Sequence, residues 1–338
     1  MTEPTTDLRV AARALLADAG PLAMRHEALQ RIVEIARAAT PVMVGEADLD
    51  VLAVNGDGEG FGRSTVNSGV AIIPLKGILT PRPSLLSILF GGSSGGLLGF
   101  RSDLREALGH RDVETIVIDV NSPGGSVSLI TETAAEVRAA RGDKPIIAVA
   151  NTMAASAAYA IAAQADEIVV TPSGFVGSIG VYIVHYDFSA MNEAIGVKPT
   201  YISAGRYKTE GHEDAPLDEV ALAAIQLEVD DFYATFVQDV ADGRGVTTEE
   251  VRGGYGEGRV LTAQRALTAN LVDSIATLEE VVTDRISGAR APAGGGRASA
   301  GRRSIPAQTA LDPHVEARIA EIHSLTPPVT RAQEATNA

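Results

Sequence analysis

Uninterrupted apolar runs alternate along this chain with stretches of helical periodicity, and the alternation predicts an α/β protein. Residues 145–150, PIIAVA, form a continuous apolar run and predict a buried strand. The polar pair Asn151-Thr152 predicts a turn after it, and the Ala-rich run holding Tyr159 and Ile161 predicts a helix. Further apolar runs predict strands over 70–79, 114–120, 167–171 and 199–203, with a short extended piece at 258–261. Leu22, Leu29, Ile32, Val33 and Ala36 fall at helical spacing, so a first amphipathic helix is expected over 22–38. Other helices are expected at 100–108, from 126 to about 140, and at 188–195, 216–240, 247–252, 262–269 and 278–286. Strand, turn, helix, strand in repeated order predicts a parallel sheet covered by helices.

Gly and polar residues dominate 55–69, which reads as a loop or linker, and from about 288 the chain turns to Gly, Ala, Arg and Pro. The expected organisation is an N-terminal helical segment and linker over 1–69, a main domain over 70–287, and a disordered linker and tail over 288–338. An apolar patch at 85–90, flanked by Pro and Gly, reads either as a loop with a short helix or as a mobile lip for apolar substrate.

Composition narrows the function classes. A formal charge of -15 over 338 residues argues against general nucleic-acid binding. The absence of Cys removes disulfides, thiolate metal sites and a cysteine nucleophile. The glycines after strand 114–120 match neither a dinucleotide fingerprint nor a phosphate-binding P-loop, and no histidines repeat at metal-ligand spacing. No cofactor and no metal are therefore expected. No run approaches 18 apolar residues, so the expectation is a cytoplasmic protein without a membrane anchor.

Candidate chemistry centres on Ser156, which stands where the strand at 145–150 hands over to a helix. There a hydroxyl is held at a fixed turn, close to free helix N–H groups. Taken alone, a Ser in an Ala-rich segment is equally a small residue that lets a helix pack closely on a sheet. A nucleophilic serine needs a base. The residues offer two, His212 and Lys208, and a lysine in that role must be held neutral by desolvation.

Four motifs in order, Asn121-Ser-Pro-Gly-Gly125, Ala154-Ala-Ser156-Ala-Ala-Tyr159, Gly177-Ser-Ile-Gly180 and Ser203-Ala-Gly-Arg-Tyr-Lys208, resemble the signal peptide peptidase A family (S49) of serine–lysine peptidases. The resemblance covers about 70–286 and implies a crotonase-like (Clp-protease-like) fold of repeated ββα units. It implies Ser156 as nucleophile, Lys208 as general base and Ser178 as the serine that orients the lysine. It also implies an oxyanion hole from the N–H of Ala157 and of Gly124 or Gly125, with Gly125 preferred. The missing anchor, the segment from Pro21 to Ala36 and residues 83–92 resemble the phage head maturation branch, whose proteases trim scaffold and capsid proteins. Three further expectations follow from the resemblance. Half-length members form rings whose sites take serine and lysine from neighbouring protomers. The first specificity pocket favours small residues. Self-cleavage within about 289–300 would release the tail. The competing readings are a soluble signal-peptide-peptidase-like protease, a crotonase-fold acyl-CoA enzyme and an inactive assembly protein.

Overall fold

The computed structural model describes residues 65–82 and 96–288, with short stretches before them at 5–7, 22–24, 30 and 43–45. Strands β1 (Thr5–Asp7) and β3 (Met43–Gly45) pair with each other, while β2 (Leu22–Met24) joins the main sheet. That sheet begins with β4 (Thr65–Asn67), which lies antiparallel to β5 (Val70–Leu79). Then β5, β6 (Thr115–Ser126), β7 (Ile146–Ala155) and β8 (Glu167–Val170) run parallel as neighbours. The first half of β7 pairs with β8 and its second half with β9 (Phe175–Gly177). Outside them, β10 (Val260–Thr262) lies antiparallel to β9, and β11 (Ser274–Ile275) parallel to β8. The result is a mixed sheet with a parallel centre.

Both faces of that centre are covered, which explains why its strands read as continuous apolar runs rather than as alternation. On one face Ile73, Leu75, Ile116, Ile118, Ile146 and Ala148 pack with Leu97, Phe100 and Leu104 of α1 (Gly96–Gly109) and Val137 of α2 (Ile130–Ala140). The same core takes in all of α3 (Ala157–Ala162). On the other face Val117, Ile147, Val149 and Val169 meet Val281. After the small α4 (Ser189–Ala194), the long α5 (Glu219–Arg244) opens on Asp218, whose carboxylate accepts the Ala221 N–H at 2.7 Å, and stops at Gly245 with φ 65°. Helices α6 (Thr248–Gly254), α7 (Ala263–Thr268) and α8 (Leu278–Ile286) follow, and α8 carries Val281. At the end of α5 the buried Arg244 makes two 2.9 Å bonds to Asp273, whose carboxylate also accepts the Ile168 N–H.

Several local expectations change. Strand β6 does not end at Val120 but runs on through the Gly-Gly pair, and β7 continues through Asn151-Thr152 to Ala155. A register shift between Val120 and Asn121 absorbs the irregular backbone at Thr152, where φ is 86°. Residues 22–24 form a strand rather than the start of a helix, because their backbone pairs with Gly124–Ser126, a tertiary partner that periodicity cannot register. Residues 199–203 form no strand and are exposed. The end of the 55–69 loop reading, 65–67, is β4. The patch at 85–90, the rest of 22–38 apart from residue 30, and the tail from 289 lie outside the described residues. Among the described residues no helix is long and apolar enough to cross a membrane.

Candidate active site

Strands β7 and β9 end side by side, and β6 accompanies β7 as far as the pair Ser122 and Ala154. Ala155 of β7 stands beside Gly177 of β9, so the next residues, Ser156 and Ser178, leave adjacent strand ends together. Both have φ 55°. Ser156 also has ψ −124° at the N-terminal edge of α3, a conformation that L-residues other than glycine seldom adopt. Its backbone is fixed on both sides: the N–H donates to Gly177 O at 2.7 Å, and the carbonyl accepts from Tyr159 N at 2.8 Å. Tyr159 is buried and donates its hydroxyl to Leu271 O at 2.8 Å, which ties α3 to the chain after α7. A serine held in strain at a sharp strand-to-helix turn is the form a nucleophile takes when its oxygen must be presented at the sheet's end.

The Ser156 side chain is only 1% exposed in its residue, and its Oγ has no hydrogen-bond partner among the described residues. A buried hydroxyl normally finds a partner, so this one is an exception. Ser178 is half-buried and holds its own N–H against Arg259 O at 2.8 Å. It lines a cavity of about 490 Å³ with Tyr182, Gln226, Asp230, Tyr233 and Glu257.

On β6 the Gly-Gly pair follows Ser122, which stands beside Ala154. Ser122, buried and unremarked by sequence reasoning except as part of its motif, donates to Gly77 O at 2.6 Å and accepts the Gly124 N–H at 3.1 Å. The Gly124 N–H is thereby engaged. Gly125 faces β5 so closely that a Cβ there would lie 1.8 Å from Leu79 O and 2.5 Å from Leu79 C. Only glycine fits that approach.

A second, smaller cavity of about 20 Å³ adjoins the turn, bounded by Ala157, Ala160, Val127, Val181, Phe236 and Asp239. Burial pushes the Asp239 carboxyl above its usual range, against the opposing pull of a Thr131 hydrogen bond and the Arg138 charge.

Lys208 is not brought to Ser156. It sits in an exposed turn, its N–H donating to Gly205 O at 3.2 Å, and makes no bond to the Ser156 hydroxyl. His212 is turned to its own loop, where its Nδ1 accepts the Asp214 N–H at 3.2 Å. The stretch that carries Lys208 is rich in uncovered apolar groups: Ile202 is 98% exposed and Ile195 65%, with Val197, Tyr201 and Tyr207 close to half. Helix α4 in the same stretch has no buried residue.

A strained, buried serine at a strand-to-helix turn of a mixed α/β sheet is an arrangement compatible with serine-hydrolase chemistry. The sequence match is narrower. Residues 138–290, a stretch that includes Ser156, Ser178 and Lys208, match the sequence model of peptidase family S49. Over 261 residues it is 29% identical to the capsid assembly protease C of Escherichia phage lambda, covering 75% of this chain and 58% of that protein. It is 27% identical over 218 residues to the head-tail preconnector protein GP5 of Enterobacteria phage P21, covering 64% of this chain and 43% of that protein. Protease 4 of Salmonella typhi is 35% identical over 182 residues, 54% of this chain and 29% of that protein. The chain spans about half the length of the two phage relatives it matches.

Proposed function

We propose that this chain is a serine endopeptidase of phage head maturation, with Ser156 as nucleophile and Lys208 as its general base. The observation that carries the reading is the buried, strained Ser156 with an unengaged Oγ, inside the stretch that matches peptidase family S49. The likeness to the lambda and P21 proteins supports capsid or scaffold polypeptides as substrates, cut inside an assembling head or in the host cytoplasm. The finer fold reading is a crotonase-like one, supported by the successive parallel strands β5 to β8 with helices between them. Its peptidase domain would be 70–287, flanked by the N-terminal segment and the tail.

In the reaction the Ser156 Oγ attacks the peptide carbonyl while Lys208 takes its proton. The developing oxyanion is held by the N–H groups of Ala157 and Gly125. Gly125 is preferred over Gly124 because the Gly124 N–H is already engaged by Ser122. The leaving amine takes the proton back from Lys208, and water then attacks the acyl-enzyme to release the second product. Ser178 orients the lysine. The small cavity against Ala157 and Ala160 suits a small side chain before the cut.

Within one chain Lys208 is solvent-exposed and apart from Ser156, yet a lysine base has to be desolvated. The apolar groups around it call for a covering partner. A second copy of the chain, as in a ring, meets both needs by bringing its own Lys208 turn to the serine of its neighbour. Ser156→Ala and Lys208→Ala should each lower cleavage of an unfolded polypeptide by about 10⁴-fold or more with unchanged circular dichroism. More than trace activity in Ser156→Ala would overturn the assignment.

A further inference from the structure

Strand β6 has two edges, and at Gly124–Ser126 both are taken. On one side β5 runs parallel to it, Ile78 beside Gly124 and Leu79 beside Gly125. On the other side β7 accompanies it as far as the pair Ser122 and Ala154, after which β7 leaves for the Ser156 turn. The edge that β7 vacates is filled by β2: Leu22, Ala23 and Met24 lie antiparallel to Ser126, Gly125 and Gly124.

An extended polypeptide can reach Ser156 and the Gly125 N–H together only along that vacated edge, because β5 closes the other. Adding a strand to a free edge is how extended peptides commonly bind. The chain's own residues 22–24 already do so, and Ala23 stands opposite Gly125. Ser126, paired with Leu22, has its Oγ buried without a hydrogen-bond partner among the described residues, as has Ser156. We infer that Leu22–Met24 is an internal occupant of the substrate slot, a strand that holds the place of the polypeptide and must leave before one can bind. This rests on the peptidase reading for the identity of the competitor, but the occupancy itself requires no catalysis.

The test is therefore run on full-length chain carrying Ser156→Ala, so that no cutting intervenes. One variant adds Ala23→Pro and another adds Leu22→Pro with Met24→Pro, since prolines at alternate positions remove whichever N–H groups make the ladder. Two readouts are taken: hydrogen exchange across residues 124–126, and binding of a fluorescent peptide with the sequence of residues 18–28. At least one proline variant should show faster exchange there and bind the peptide about tenfold or more tightly than the Ser156→Ala parent, while melting cooperatively. Unchanged exchange and equal peptide affinity in both variants would overturn the inference. So would loss of cooperative melting in both, which would make β2 a structural strand. A chain that passes this test but cuts no polypeptide with Ser156 restored fails the peptidase reading and leaves the occupancy standing.

Discussion

Gly125→Ala is the most informative single change, because one methyl group presses on stability and chemistry at once. The added Cβ would lie 1.8 Å from Leu79 O and 2.5 Å from Leu79 C, both backbone atoms of a strand fixed by its neighbours. Carbon atoms prefer separations of about 3.5–4.0 Å, so β5 and β6 must part by more than about 1 Å at this point. Overpacking of that kind costs about 1–3 kcal/mol of stability. The same parting moves the Gly125 N–H, the proposed oxyanion donor, and losing one such donor costs about 10²–10³ in kcat, or about 2.7–4 kcal/mol of the barrier. Urea unfolding measures the first effect. Hydrolysis of an unfolded protein, read as kcat and KM separately, measures the second. The loss should fall on kcat, because the donor acts on the transition state. A variant within about 0.5 kcal/mol of wild type, cutting at a rate within threefold, would refute both the packing and the oxyanion argument.

Two further changes test particular features of the site. Ser156→Gly removes the proposed nucleophile but suits φ 55° and ψ −124°, a conformation that costs a non-glycine residue about 1–3 kcal/mol. It should therefore be inactive and yet more stable than wild type in thermal melting, whereas Ser156→Ala keeps the strain and should gain nothing. Asp239→Asn tests the buried carboxyl beside the small cavity. Burial raises the folded-state value, so the folded chain holds this proton more tightly than the unfolded chain, and wild-type stability falls as pH rises from the ordinary carboxylate range through the raised one. Asn carries no such penalty, so the variant should gain on wild type as pH rises above the ordinary carboxylate range. Parallel stability curves across that range would contradict the assignment.

The parallel centre was legible in the sequence because strands buried on both faces leave continuous apolar runs, as at Ile146–Val149 and Ile116–Val120. Ser156 could be placed at a strand-to-helix turn for the same reason. Less legible were the ends of those strands. The sequence ends one strand at Val120 and reads Asn151-Thr152 as a turn, yet the sheet continues through both places because their backbone groups find partners on neighbouring strands. Residues 22–24 have a helical pattern and become a strand through a contact about a hundred positions away, which no local signal announces. Helix α5 is legible as a helix, but its apolar residues are covered unevenly: Val220 and Leu227 are exposed, 59% and 63%, while Phe236 and Val240 are buried.

The central claim, a peptidase site whose serine and lysine come from different copies, is tested most directly by subunit mixing. Ser156→Ala and Lys208→Ala proteins, each inactive alone, are combined in equal amounts, with exchange of subunits followed by a fluorescent label. In a ring of head-to-tail contacts, a working site needs its serine from a Lys208→Ala subunit and its lysine from a Ser156→Ala subunit, which random mixing supplies at about one site in four. The account predicts recovery of about a quarter of the wild-type rate. A mixture that stays inactive after exchange is complete would contradict it.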